Sequence, residues 1–430
     1  MSEPSTGLPG FRAFPVLWTA STVGALGDGV RLVAFPLLAV SSTDDPVLVG
    51  TVAAAGSLPW LTTGLVAGAL VDRWDRLRTM AVVSLARALV AAALAALLVA
   101  GATSVWVLAG AAFLLGIGQT FVDSAAQSVL PRVVGADGLD RANGRLSAGQ
   151  TVAGQFAGQG LGGALFVLGP AVPVVVDAAA FLVAAVLVGR LRRAVRRPGA
   201  SPGAGADGRR HVLADVAEGV RWLVGRPVLR TLLGLLAALG AASGAYWAVI
   251  ALYVTSVLGV PAGWYGVVLA LGAGGSLVGA LCAPLVRRRL GTVGAVTLAA
   301  VVVTVVATGL GLTRDVAVAV ALLTLNGIGV LTWNVVTLSL RQRRTPEELQ
   351  GRVSAAFRVT GLGAMTLGSL AGGALAGAAG VPAVFLASAA LVAVVSAVAI
   401  PAVRRGGADG DQAAPADPAG GDVPGWAHDG

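Results

Sequence analysis

The chain has 430 residues, of which 56% are hydrophobic and only 12% are charged, and its formal net charge is +9. A soluble globular domain carries about a quarter charged residues, so this composition excludes an ordinary water-soluble fold. The basic excess does not indicate nucleic-acid binding, because every basic residue is an arginine and most arginines lie between long apolar runs.

The apolar runs are rich in Leu, Val, Ala and Gly and show no alternation of polar and apolar residues. Each run can cross a bilayer core as a helix, which takes about 20 residues. The absence of alternation excludes a transmembrane barrel. We therefore predict an all-α membrane protein with twelve transmembrane helices. The predicted spans are 14–41, 47–71, 79–101, 105–130, 145–168, 171–190, 229–256, 264–286, 292–312, 315–340, 353–379 and 381–403.

The basic, Pro/Gly-rich stretch in the middle of the chain divides the spans into two sets of six. The apolar residues from 211 to 226 share one helical face, which predicts an amphipathic helix on the membrane surface. The predicted regions are a cytoplasmic N-terminus at 1–13, a first six-helix bundle at 14–190, a cytoplasmic linker with the amphipathic helix at 191–228, a second six-helix bundle at 229–403 and a disordered acidic tail at 404–430.

The distribution of arginine predicts the orientation of the chain. Arginines cluster in the segments on one side of the predicted spans, whereas the segments on the other side hold only Arg314. Because basic residues are retained on the cytoplasmic side of a membrane, both termini are predicted to be cytoplasmic. The absence of Lys and the abundance of Ala, Gly, Val and Arg favour a bacterial origin, and thus a multi-pass protein of the inner (plasma) membrane.

The two halves repeat short sequences at the same topological position. Residues 144–148 (Gly-Arg-Leu-Ser-Ala) return as residues 351–355 (Gly-Arg-Val-Ser-Ala), and each copy opens a span that reaches two adjacent glycines. Repetition in register predicts two homologous bundles in parallel arrangement. The glycine pairs are Gly162-Gly163 and Gly372-Gly373.

The loop between the second and third spans carries the most specific motif. Gly68 is followed four residues later by Asp72 and Arg73, and Arg76 comes three residues after Arg73. This loop resembles the signature of the major facilitator superfamily, although Asp75 occupies the place of its usual glycine. The resemblance covers about residues 14–403 and implies transport by alternating access between two six-helix bundles.

The resemblance implies a conformational latch formed by Gly68, Asp72, Arg73 and Arg76. Asp72 is expected to meet the positive N-terminus of the eleventh span, where Arg358 joins the contact. The alternative is a solvated loop that only anchors the topology.

A glycine-rich segment in the fifth span contains Gly154, Gly158, Gly162 and Gly163. It resembles the glycine motif of exporters in this superfamily, with Gln159 in place of the usual proline. Small residues at this spacing also serve as a general device for close helix packing, so both interpretations remain open. Residues 24–28 and 177–182 are similar to the enterobactin-exporter and macrolide-efflux branch.

Charged residues inside lipid are costly and are therefore candidates for function. In this superfamily the first and fourth spans line the central cavity, which favours Asp28 and Asp123 as proton-coupling sites. Arg31 and Arg87 are the expected charge partners, and a purely structural Asp28–Arg31 pair is the competing interpretation. Asp177 is expected to be structural, because its span is taken to face outward.

The second half offers aromatic residues in place of intramembrane acids. Tyr246, Trp247, Trp333 and Asn334 lie within the seventh and tenth spans, where they are candidates to line a substrate cavity. A cavity lined by these aromatic side chains would suit a bulky, partly apolar ligand. The alternative is that the aromatic rings only pack against neighbouring helices.

Together these features predict a proton-coupled exporter of small amphipathic molecules, such as drugs, antibiotics or siderophore-like compounds, that functions as a monomer. The expected partners are the lipid bilayer, a small-molecule substrate and protons, with no nucleic acid. Metabolite uptake or uniport is the alternative within transport, and a non-transporting sensor or scaffold is the alternative of another class. An enzyme, a metal site and a cofactor are not expected, because the spans contain no His/Cys/Glu cluster and the chain lacks the lysine that a nucleotide-binding loop requires.

Overall fold

A computed structural model describes residues 10–64, 67, 70–71, 74–134, 139–195, 221, 223, 225–345 and 349–410. Within those ranges every regular element is a helix, in agreement with the sequence prediction. The longer helices are α1 (Gly10–Ser42), α2 (Pro46–Thr62), α3 (Arg76–Val99), α4 (Val105–Val134), α5 (Leu139–Gln150), π1 (Thr151–Gly158), α6 (Gln159–Leu168), α7 (Val172–Val195), α8 (Pro227–Leu252), π2 (Tyr253–Val257), α9 (Ala262–Leu312), α10 (Val316–Arg344), α11 (Gln350–Ala379) and α12 (Val381–Gly410).

Ten stretches of the described residues are helical, long and apolar enough to cross a membrane. Two of them belong to α9, which is interrupted at Gly291, where the backbone φ of +68° departs from the helical region. The predicted second span is represented by α2, an apolar helix of 17 residues. The predicted fifth span is divided into α5, π1 and α6, because a π-helical turn interrupts the α-helical hydrogen bonding.

The last helix continues to Gly410 and so runs past the predicted boundary at residue 404. The predicted start of the disordered tail is therefore too early, because the helix continues beyond its apolar part through Arg404 and Arg405. Residues 411–430 of the tail, and nearly all of the predicted linker helix, lie outside the described residues.

Each half is held together by glycines at a helix crossing. A Cβ atom on Gly29 of α1 would overlap the backbone of Gly154 in π1, and one on Gly244 of α8 would overlap the backbone of Met365 in α11. Gly158 and Gly162 face α1 in the same way, and Gly372 faces Ala245 of α8. The same kind of close approach thus recurs in the two halves, between α1 and the π1–α6 segment and between α8 and α11.

The second glycine of each pair faces the opposite half. A Cβ atom on Gly163 would lie 2.6 Å from the carbonyl oxygen of Gly263, and one on Gly373 would lie 2.9 Å from that of Pro46. Both contacts are close to the helix ends remote from the linker, which we call the far side, as opposed to the linker side where α7 ends and α8 begins. The two halves therefore pack tightly against each other at the far side.

An ion pair on the linker side connects Asp75 with Arg192. The Arg192 Nε donates to the Asp75 carboxylate across 2.9 Å, and the backbone N–H of Arg78 donates to the same side chain, which caps α3. Burial alone raises the pKa of Asp75, but these hydrogen bonds and the charge of Arg192 outweigh it and lower the pKa below its ordinary value.

The lowered pKa of Asp75 gives its ionised carboxylate a stabilising effect above about pH 4, which is lost as the pH falls through the folded-state pKa. Asp75→Ala removes both cap and pair and should cost about 1 kcal/mol. Asp75→Asn keeps a capping oxygen and should cost less than about 1 kcal/mol, because the carboxylate is 48% exposed and the pair is screened by solvent. Thermal unfolding of purified protein should show the Asp75→Asn deficit near neutral pH and its disappearance in acid. An equal deficit at both pH values would contradict this assignment.

Candidate functional site

A cluster of charged side chains lies inside the first half, where α1, α3 and α7 meet. Asp28 Oδ1 accepts hydrogen bonds from Arg31 across 2.7 Å and from Arg87 across 2.5 Å. Arg31 is one turn further along α1, whereas Arg87 belongs to α3. Asp28 thus connects two helices through two guanidinium groups, and the side chain of Arg87 is only 3% exposed.

Asp177 of α7 is the second acid of this cluster, and its side chain is 1% exposed. Its nearest cation is Arg31, with Nε 3.8 Å from Oδ2, and no described group donates a hydrogen bond to either of its oxygens. The expectation that this position faces outward is wrong, because α7 packs against α1 here. Gly27 makes that packing possible, since a Cβ atom there would lie 2.7 Å from Asp177 Oδ1.

Asp123 of α4 has a neutral partner. Gln119, one turn earlier, donates its side-chain N–H groups to both carboxylate oxygens across 2.9 and 3.0 Å. Asp123 lines a cavity of about 60 Å³ together with Asp28 and Arg87. Arg87 was expected to be a charge partner of the intramembrane acids, and in the structure its ion-pair partner is Asp28.

The position of Arg87 depends on two neighbours that sequence reasoning missed. Its guanidinium lies over the ring of Phe181 of α7, 3.7 Å from the centroid, in a cation–π contact. Its aliphatic stem passes Gly118 of α4, where a Cβ atom would lie 2.5 Å from Arg87 Cγ. The Gly-Ile-Gly sequence at 116–118, which returns at 327–329, was the available signal for this close contact.

A larger cavity of about 870 Å³ lies mainly in the second half. Tyr246, Trp247, Trp333 and Asn334, the four residues predicted for this role, all line it. Tyr246 meets the ring of Trp247 edge-on at 5.3 Å between centroids. The cavity is large enough for a drug-sized molecule, since ligand pockets typically measure about 300–1,000 Å³.

Apart from Asn334, the polar side chains of this cavity were not predicted from the sequence. Its walls include side chains with neutral amide and hydroxyl groups, and one charged side chain, Arg358 of α11. Because α11 begins at Gln350, Arg358 lies toward the linker side. The neutral polar side chains are Gln155, Gln159, Ser243, Ser276, Asn326, Asn334, Thr337, Ser354 and Ser388.

Only part of the predicted latch lies within the described residues. Gly68, Asp72 and Arg73 lie outside the described residues, and Arg76 opens α3. The contact between Asp72 and the start of α11 therefore stays a prediction. Among the described residues, no group of three or more His, Cys, Asp or Glu side chains is arranged to hold a metal ion.

Comparisons with known proteins agree with this architecture. The Tap multidrug efflux pump of Mycolicibacterium fortuitum is 32% identical over 385 residues, which are 86% of this chain and 91% of that protein. The Tap pump of Mycobacterium tuberculosis is 31% identical over 413 residues, which are 91% and 94% of the two chains. A point mutant of the nucleoside transporter NupG has the same fold, with a TM-score of 0.77 at 11% identity over 91% of this chain and 99% of that one.

A family model described as transmembrane secretion effector matches residues 9–418, nearly the whole chain. This match and the similarity to the Tap pumps confirm the expected superfamily and the expectation that the chain is not an enzyme. The chain therefore belongs to the transmembrane secretion effector family, and it is a multi-pass membrane transporter of the major facilitator superfamily.

Proposed function

We propose that this transporter is a proton-coupled exporter of small amphipathic molecules. The similarity to multidrug efflux pumps over most of both chains supports export. The cavity of about 870 Å³, with its aromatic and apolar walls, supports a bulky and partly apolar substrate. The chain works by alternating access, and a single copy contains both the cavity and the charged cluster.

The proposed architecture has twelve spans in two homologous six-helix bundles. The ten described spans are completed by α2 and by the continuous α5–π1–α6 segment, which correspond to the predicted second and fifth spans. The matching glycine crossings in the two halves support the homology of the bundles. The close contact at the far side corresponds to a conformation in which the large cavity is accessible from the linker side.

Proton coupling is assigned to Asp28, with Asp123 as its proton-exchange partner. The observation that carries this assignment is the pair of hydrogen bonds from Arg31 and Arg87 to one oxygen of Asp28. A proton on Asp28 removes the negative charge that holds α3 against α1 and frees both guanidinium groups to move. A proton on Asp123 leaves no cation unpaired, because its partner is the neutral Gln119.

Transport in inside-out membrane vesicles tests the proposed direction and energy source. With an acidic lumen, vesicles containing the protein should accumulate sulforhodamine B or rhodamine B ethyl ester, and an ionophore that collapses the pH gradient should release the dye. Vesicles without the protein are the control. If vesicles containing the protein move the dye equally with and without the pH gradient, uniport is favoured over proton-coupled export.

The proposed orientation places both termini and the linker in the cytoplasm, as the arginine distribution indicates. In a Cys282→Ala background, a membrane-impermeant thiol reagent should label Asp44→Cys in intact cells but should label Ala408→Cys only after the cells are lysed. Asp44 is exposed in the turn between α1 and α2, whereas Ala408 lies at the end of α12. The reverse labelling pattern would invert the orientation and the assignment of export.

A further inference from the structure

Among the described residues, Arg358 is the one charged side chain that lines the large cavity. Arg358 lines the cavity, is exposed, and makes no hydrogen bond or ion pair with any described residue. The other polar groups that line the cavity are neutral amides, hydroxyls and a tyrosine. The exposed guanidinium is open to a ligand, and an ion pair with it would be stronger in a mostly apolar cavity than in bulk water, because the effective dielectric constant is lower there.

The three described acidic residues within the spans do not supply a charged partner for Arg358. Asp28, Asp123 and Asp177 belong to the charged cluster of the first half, and none of them lines the large cavity. Asp28 already forms ion pairs with Arg31 and Arg87. Within the part of the chain that the structure describes, a negatively charged ligand would therefore meet Arg358 without competition from a carboxylate, and a permanently cationic ligand would meet a like charge.

The remaining wall of the cavity determines what else the ligand must carry. Trp333, Tyr246 and Trp247 present aromatic surface, and the Tyr246 ring also meets Phe385 at 6.4 Å between centroids. Gln155 and Gln159 reach the same cavity from the first half. A planar apolar body fits the aromatic surface, and hydrogen-bonding groups on that body fit the amides.

We propose that the large cavity binds amphipathic molecules in which an aromatic body carries an acidic group, such as a carboxylate or a sulfonate, and that Arg358 binds this group. The guanidinium can form two parallel hydrogen bonds with two oxygens of such an anion. The proposal names the substrate class of the exporter and so rests on the proposed function. It assigns Arg358 to ligand recognition in place of the latch role expected from the sequence.

Binding of two dyes with the same tetraethyl-xanthene ring system tests this proposal. Sulforhodamine B is a net anion and rhodamine B ethyl ester is a cation. Their affinities for the full chain in lipid nanodiscs can be measured by fluorescence anisotropy at one pH and without any gradient. The variants are Arg358→Gln, Arg358→Lys and Arg289→Gln, the last being a matched loss of one exposed arginine outside the cavity.

We expect sulforhodamine B to bind the parent protein more tightly than the ester does. Arg358→Gln should weaken sulforhodamine B binding by about tenfold or more, the loss expected for one charge-assisted contact. The ester should bind this variant as well as the parent or better. Arg358→Lys should retain most of the sulforhodamine B affinity, and Arg289→Gln should leave both affinities unchanged.

Three results would overturn the proposal: tighter binding of the cationic ester to the parent protein, an equal loss of both dyes in Arg358→Gln, or no loss of either. An equal loss would mean that Arg358 maintains the shape of the cavity. The assay involves no proton gradient, so its outcome is separate from that of the transport test. The expected binding pattern without gradient-driven accumulation would refute the exporter and leave the ligand class in place.

Discussion

Asp28→Asn is expected to reduce gradient-driven dye accumulation in inside-out vesicles to the background of vesicles without the protein. Asparagine cannot take up or release a proton, and its neutral oxygen cannot hold Arg31 and Arg87 as the carboxylate does. The substitution also leaves Arg87 buried without its anion. Breaking a buried ion pair by removing one partner costs about 3–5 kcal/mol, so the variant is expected to be less stable as well.

A double variant separates the loss of coupling from the loss of stability. Arg87→Gln in the Asp28→Asn background removes the unpaired guanidinium, and the thermal stability of the protein should recover while gradient-driven accumulation stays absent. Asp44→Asn removes an exposed carboxylate from the turn after α1 and serves as the matched control, which should transport like the parent. Gradient-driven accumulation at the parental level in Asp28→Asn would move the coupling role to Asp123 or remove it altogether.

Gly29→Ala should have the largest effect on folding among substitutions by a single methyl group in α1. A Cβ atom at this position would overlap the carbonyl oxygen of Gly154 and lie 2.9 Å from its Cα, so only a shift of backbone can relieve the collision. Overpacking a close contact typically costs about 1–3 kcal/mol and more where backbone must move. The expected result is a lower melting temperature and a lower yield of monodisperse protein.

Gly24→Ala on the same helix is the control for this collision. No atom from another described part of the chain lies within 4 Å of a Cβ built on Gly24, and its backbone is helical, so alanine should be neutral or slightly stabilising through its better helix propensity. Thermal unfolding of the two variants, purified side by side, provides the comparison. Equal melting temperatures for Gly29→Ala and Gly24→Ala would show that α1 and the π1–α6 segment are not in close contact.

The features predicted well from the sequence are those that depend on composition and spacing along one chain segment. Long apolar runs with few charges can only satisfy their backbone groups in a bilayer as helices, so the helical membrane fold followed directly. The loop motif at Gly68–Arg78 and the repeated Gly-Gly pairs were sufficient to identify the superfamily. Aromatic residues near the middle of a span are poorly explained as interfacial anchors, and the structure places Trp247 and Trp333 at the large cavity, while their contact with a substrate stays a prediction.

The features missed depend on how helices are rotated about their axes. The hydrogen bond from Arg87 to Asp28 joins residues of different helices, and no periodicity in either segment specifies it. Gly27 and Gly29 flank Asp28 in the sequence, and only the structure shows that Gly27 faces Asp177 and that Gly29 faces Gly154. Spacing places a residue on a helix, whereas tertiary packing decides which neighbour it meets.

Exchange of substrate for protons through one protein can be followed in proteoliposomes that contain the parent protein. A gradient of sulforhodamine B or rhodamine B ethyl ester is imposed across the membrane, and a pH electrode follows the weakly buffered external medium. We expect dye flowing in one direction to drive protons in the other, and the pH signal to disappear when a protonophore is added. Dye flux through the protein with no accompanying change in external pH would contradict this expectation.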